Sequence, residues 1–180
     1  MSKRVLIGGI GNVLLGDDGV GPYVVRLLDS QYSFPDNVEI ADLGTPALDL
    51  THRIAGLHAV ILVDCVVCDE HPPGTILLYR KDDIISVQPA QRLDPHSPAL
   101  SECLMTADML GESPKHVLLV GIVGESFEPG YSVSPKVHGA AAKAVRAILA
   151  ELERLNIPYA TQQSTLAPSV WWSDRMLVGG

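Results

Sequence analysis

Gly9-Ile10-Gly11-Asn12-Val13-Leu14-Leu15-Gly16-Asp17-Asp18-Gly19-Val20-Gly21 follows the apolar run Val5-Leu6-Ile7 and leads into an amphipathic stretch. A buried strand, a glycine-rich turn and a helix in that order open a parallel α/β sheet. A turn of this kind ordinarily cradles phosphate with the free N–H groups of the helix start. This one carries two adjacent carboxylates, Asp17 and Asp18, which repel an anion. The same side chains suit a cation or general acid–base chemistry.

Outward from that turn the pattern continues to alternate. Apolar runs predict strands at 4–10, 38–41, 58–64, 75–79 and 116–123. Helical spacing predicts helices at 20–32, 46–54, 99–110 and 135–155. In the first of these, Val20, Tyr23, Val24, Leu27 and Leu28 share one face, and Pro22 sits where a missing N–H costs nothing. Asp42-Leu43-Gly44-Thr45 reads as a turn, and residues 80–98 as a polar loop. The expected fold is α/β, a single domain over residues 1–158. It has a twisted, mostly parallel sheet of about five strands flanked by helices on both faces. Residues 159–180, with Trp171 and Trp172, read as a C-terminal tail with little core of its own, flexible or partner-contacting.

The bulk numbers narrow the partners. The chain has 180 residues, 47% hydrophobic and 19% charged, enough for one domain with a sizeable core. A net charge of −8 sets it against nucleic acid and anionic membrane, which need a basic footprint. Its first apolar stretch is short and glycine-broken, unlike a signal peptide, and no run reaches the length that spans a bilayer. Three cysteines, an odd number, do not make a disulfide framework, so a reduced cytoplasmic location is expected.

Several residues invite chemistry, each with a plainer alternative. Gly9 and Gly11 match half of G-x-G-x-x-G, but Leu14 stands at the third glycine position, so the dinucleotide reading is weak. One of Asp17 and Asp18 serves as a helix cap worth about 1 kcal/mol, but two acids exceed what a cap requires. Asp64 closes the run His58-Ala59-Val60-Ile61-Leu62-Val63-Asp64, and alone it too would read as a cap. Sites in parallel sheets form beyond the carboxyl ends of strands, which is where both acids fall. Two carboxylates about 4 Å apart repel by about 4 kcal/mol at an effective dielectric near 20, a cost that a cation removes. Of six histidines, His96 stands out in Leu93-Asp94-Pro95-His96-Ser97-Pro98, a proline-stiffened loop opening a helix. Two carboxylates and an imidazole suit a first-row transition metal. No H-E-x-x-H or G-x-S-x-G occurs. Cys65-Val66-Val67-Cys68 is a C-x-x-C, but only Cys103 remains to complete a metal site, and buried thiols are the favoured reading.

Together these motifs resemble the hydrogenase maturation endopeptidases. The resemblance rests on G-x-G-N-x-L-x-x-D-(D/E)-x-x-G at Gly9, Gly11, Asn12, Leu14, Asp17, Asp18 and Gly21. It continues through Asp42-Leu43-Gly44-Thr45, where the family usually has D-G-G-T, the strand ending in Asp64, and Pro95-His96. Val120-Gly121-Ile122, Glu125-Ser126, Glu128-Pro129 and Ser134-Pro135-Lys136-Val137 look like its closing strand and last loop, so the likeness spans about residues 4–155. It implies an endopeptidase that removes the C-terminal extension of a nickel-loaded hydrogenase large-subunit precursor. The family's metal-contacting triad falls on Asp18, Asp64 and His96, which would dock on nickel supplied by the precursor. Many members have Glu where this chain has Asp18, so Asp17 could share the role. The resemblance also implies a monomer. The alternatives from other classes are a nucleotide-binding α/β protein and a non-catalytic nickel- or precursor-binding chaperone. A germination-type protease with the same sheet is a remoter one.

Overall fold

The computed structural model describes residues 3–46, 49–86 and 97–162. Its centre is β1 (Val5–Ile10), whose six residues are all buried. The chain then forms a short 3-10 turn (Gly16–Gly19), α1 (Val20–Gln31), β2 (Tyr32–Ser33), β3 (Val38–Gly44), α2 (Asp49–Ile54) and β4 (Ala59–Val66). β5 (Ile76–Arg80), α3 (Lys81–Ser86), α4 (Ser97–Met109), β6 (His116–Val123), α5 (Pro135–Arg154) and β7 (Ala160–Thr161) follow.

The main sheet has five strands in the order β3-β1-β4-β6-β5. β1 pairs in parallel with β3 and β4, and β4 with β6; β5 runs antiparallel along the outer side of β6. The expected α/β sheet with helices on both faces is the observed one. Side chains alternate along the strands as a pleated sheet requires. Val5, Ile7, Ile61, Val63 and Cys65 join a core cluster with α1 and α5. Leu6, Ile10, Val60 and Leu62 join a second cluster with α2, α3 and α4. No helix among the described residues is long and apolar enough to cross a membrane.

The departures from expectation have local causes. β4 continues two residues past Asp64, because Cys65 and Val66 pair with Ile122 and Val123. β3 runs on to Gly44, whose positive φ of 57° ends it, so Asp42-Leu43-Gly44 is strand and not turn. A register shift lets Ile10 pair with Gly44, and Asp42 Oδ1 accepts the Gly44 N–H at 3.0 Å. The stretch read as polar loop opens with α3: Asp83 accepts the Arg80 N–H at 2.7 Å and Ile84 is buried. The tail reading needs a boundary too. Ala160 and Thr161 pair antiparallel with Ser33 and Tyr32, and Tyr159 packs against Tyr32 and Phe34, so the body runs to Gln162. Trp171 and Trp172 lie outside the described residues.

Candidate active site

β1 feeds α1 and β3 on one side, whereas the chain re-enters at β4 on the other side of β1. The order of connection therefore reverses between β1 and β4, the place where ligand sites form in open parallel sheets. Asp18 lies on the 3-10 turn after β1, and Asp64 lies near the end of β4. The turn that carries Asp18 also packs against β4.

Glycine is what allows that approach. A Cβ on Gly21 would stand 2.1 Å from the carbonyl oxygen of Ile10 and 2.5 Å from that of Val63. The start of α1 thus sits directly on the ends of both strands. Gly11 has a φ of +139°, and a Cβ there would fall 1.8 Å from the Asp18 carbonyl oxygen. Gly11 and Gly21 thus serve close backbone packing.

The two adjacent acids do different work, and neither stands at the N-cap position, which is Leu15 for the 3-10 turn and Gly19 for α1. Asp18 is 3% exposed, and its Oδ2 accepts the Asn12 N–H at 2.8 Å, closing the loop on itself. Asp17 is fully buried and holds the loop between β6 and α5. Its Oδ2 accepts the N–H groups of Glu125 (2.8 Å) and Ser126 (3.0 Å) and the Ser134 hydroxyl (3.0 Å). Its Oδ1 accepts the Ser134 N–H. Ser134 is the N-cap residue of α5, so this carboxylate lies at the positive end of one helix while immediately preceding another. Backbone bonds reinforce the clamp: Asp17 N–H to Ser126 O (2.9 Å), Gly16 N–H to Gly130 O (3.0 Å), Gly130 N–H to Leu14 O (2.9 Å). From sequence, Asp17 reads as a helix cap or as a sharer of the metal-contacting role, and neither reading points to this loop. The signal that could have found its partner was Ser134-Pro135, an N-cap serine with proline at the first helical position.

Asp64 is 2% exposed, and its Oδ1 accepts the Cys65 N–H at 2.8 Å. By strand alternation it falls on the face of Val60 and Leu62, the face covered by α4. The far end of α4 is anchored where Gly56, before β4, donates to Glu112 O at 2.6 Å. Thirteen helical residues rise about 20 Å, so α4 begins toward the carboxyl edge of the sheet. Its first residue is Ser97; His96 lies outside the described residues, and so does the Pro95-His96 loop.

The remaining candidates disperse. His58 and His116 pack edge to face, ring centroids 5.1 Å apart, at the opposite edge of the sheet, and His138 lies against Tyr23. Burial first, then neighbouring cations, pushes His58 and His116 below the ordinary imidazole value. Cys65 and Cys103 are buried in clusters on opposite faces of the sheet, and Cys68 is half-buried. No group of three or more His, Cys, Asp and Glu side chains able to hold a metal occurs among the described residues. Of the expected trio, the described residues include Asp18 and Asp64, on elements in contact at the carboxyl ends of β1 and β4. Ionised, these are oxygen-only acceptors suited to a hard or borderline divalent ion, or to taking a proton from water.

Comparison with known proteins agrees with this fold. The family model described as "Hydrogenase maturation protease" matches residues 22–151, a span that includes Asp64 and His96 and starts just after the glycine loop. The Escherichia coli K12 protein "Hydrogenase 2 maturation protease" is 32% identical over 154 residues, covering 86% of this chain and 93% of its own. "Hydrogenase expression/formation protein HupD" of Bradyrhizobium diazoefficiens is 30% identical over 168 residues, covering 93% and 87%. The solved structure of the E. coli hydrogenase maturating endopeptidase HybD superposes with a TM-score of 0.81 at 31% identity, covering 88% of this chain and 98% of that one.

Proposed function

Because the chain belongs to the hydrogenase maturation protease family, we propose that it removes the C-terminal extension of a nickel-loaded hydrogenase large-subunit precursor, gripping the precursor's nickel through Asp18, Asp64 and His96. The observation that carries this reading is that two buried carboxylates, Asp18 on the turn after β1 and Asp64 near the end of β4, stand on elements that pack together at the carboxyl ends of neighbouring strands. Carboxylate oxygens at this edge are a chemically suitable donor set for a divalent ion carried in by the client.

Nickel belongs here to the substrate. Carboxylate and imidazole at about 2.0–2.2 Å are chemically suitable ligands for such an ion. His96 is the residue before the first residue of α4, the helix on the Asp64 face, which supports its place as third ligand. Asp18 or Asp64 takes a proton from a water molecule, the resulting hydroxide adds to the scissile carbonyl, and the proton passes to the departing amine. Asp17, spent on the clamp, takes no part as a ligand. The protein works as a cytoplasmic monomer.

The nucleotide-binding alternative fits poorly. Asp17 and Asp18, both buried on the turn that leads into α1, put negative charge beside the helix start where a phosphate would sit. Incubation with nickel-loaded and nickel-free precursor, followed by intact-mass spectrometry, tests the proposal. Loss of the extension is expected only from the loaded form; equal cleavage of both would defeat nickel recognition. Stable binding of the precursor without shortening would favour the chaperone reading.

A further inference from the structure

Three loops leave the carboxyl edge of the sheet around the candidate site: those after β1, β4 and β6. Each presents one large apolar side chain to solvent. Leu14 is 47% exposed, Val67 46% and Tyr131 42%. The other exposed large apolar residues among those described are Leu78 on the edge strand and Met105, Met109 and Leu110 at and just beyond α4.

An isolated exposed leucine is ordinary on a soluble protein. What sets these three apart is their mounting. Leu14 donates its N–H to Asn12 Oδ1 (3.0 Å) and accepts from the Gly130 N–H, beside Tyr131. Gly16 N–H returns to Gly130 O, forming a parallel bridge between the two loops. Val67 follows Val66, whose carbonyl accepts the Gly124 N–H (3.0 Å) at the start of the third loop. Asp17 then ties that loop at Glu125, Ser126 and Ser134. The apolar side chains therefore stand on backbone that is already fixed, which cuts the ordering cost of a contact.

We propose that Leu14, Val67 and Tyr131 form an apolar docking rim for the client polypeptide, receiving apolar side chains of the extended segment that carries the scissile bond. This rests on the function proposed above, in which a peptide bond must reach Asp18 and Asp64. Such a segment has to pass among the three loops that frame those acids. Tyrosine is enriched at contact hot spots, and neighbouring apolar side chains exclude water around it. Contacts of this kind act on ground state and transition state alike, so their loss reads in KM rather than in kcat.

The test measures steady-state kcat and KM for nickel-loaded precursor with the full chain. Leu14→Ser and Tyr131→Ser are each expected to raise KM about fivefold, and the double variant about twentyfold. Tyr131→Phe and Leu14→Met should restore most of the loss. Met109→Ser, exposed at the far end of α4, should leave both constants unchanged. A double variant with parental KM would overturn the proposal, as would a loss confined to kcat. Should the parent protein fail to cleave at all, the function is what fails. The rim is then judged by precursor binding in titration calorimetry, where an unchanged Kd in the double variant overturns it. A parent dimer in sedimentation, dissolved by the same substitutions, would assign the rim to a second copy and likewise overturn the proposal.

Discussion

Replacing Asp17 is the sharpest test of how the site is built. Its carboxylate receives four hydrogen bonds, three from backbone N–H groups and one from a hydroxyl, all from the loop that joins β6 to α5. A hydrogen bond to a charged acceptor is worth about 1.5–3 kcal/mol, but four bonds to one carboxylate share a single desolvation cost and do not add. Asp17→Ala removes every acceptor and leaves buried donors behind, so about 3–5 kcal/mol is expected. That is a large part of the roughly 5–15 kcal/mol that holds a domain folded. Asp17→Asn retains one oxygen, able to keep the Oδ2 set, but its amide faces the Ser134 N–H donor-to-donor. A loss of about 2 kcal/mol follows, with the fold retained. Urea unfolding measures both values. Amide exchange localises them, with faster exchange expected at Glu125, Ser126 and Ser134 while β1 and β4 keep their protection. If Asp17→Ala costs under 1 kcal/mol, or if those three amides exchange as before, the clamp is not what holds the two loops together.

Two glycine substitutions should move in opposite directions. Gly21→Ala puts a methyl against two backbone carbonyls that cannot yield, and should cost at least about 3 kcal/mol or abolish soluble expression. Gly139→Ala, in α5 with open space around it, should raise stability by about 0.5–1 kcal/mol in the same unfolding assay. Burial pushes the Glu151 carboxyl up, but hydrogen bonds and charge from Arg154 and Arg80 outweigh it and hold it at about 2, below the ordinary 4.5. Stability from this group is therefore complete above pH 4.5 and is lost as pH falls toward 2. Discounted for the half-exposed arginines, it is of order 2 kcal/mol, and Glu151→Gln should flatten the acid limb of the stability–pH curve. His96→Ala should abolish precursor processing with an unchanged melting curve, whereas Cys65→Ser and Cys68→Ser should both process. A fully active His96→Ala, or an inactive but folded cysteine variant, would reassign the site.

The strands were legible because a parallel sheet buried on both faces writes itself as short continuous apolar runs, as in Ala59–Val66 and His116–Val123. The long helix was legible from Val137, Ala141, Val145, Ile148 and Leu152 at helical spacing. What escaped depended on partners distant in sequence. Gly44 looks like a turn residue until Ile10 is seen to pair with it. Tyr159 and Ala160 look like tail until Tyr32 and Ser33 are placed opposite. Asp17 carries the same limitation into the site: its partners lie 108 to 117 residues away, and nothing in its neighbours distinguishes it from Asp18. Local pattern could say that one acid of the pair was surplus to capping. Only the tertiary contacts say which one is structural.

That division of labour also explains why a nucleotide-like loop can serve a different chemistry. In the dinucleotide folds glycine lets the helix start approach the sheet, and the exposed N–H groups then meet a phosphate. Here the approach is kept, since a side chain at Gly11 or Gly21 would strike backbone. The negative charge, however, is supplied from within. Asp17 uses it to draw in the start of α5, and Asp18 holds the loop closed through Asn12. A fold that normally recruits an anion has its anions built in, which is the arrangement the proposed grip on a cation calls for. In that proposal the sign of the ligand follows from where the carboxylates are placed, with the sheet, the switch point and the glycine packing all unchanged.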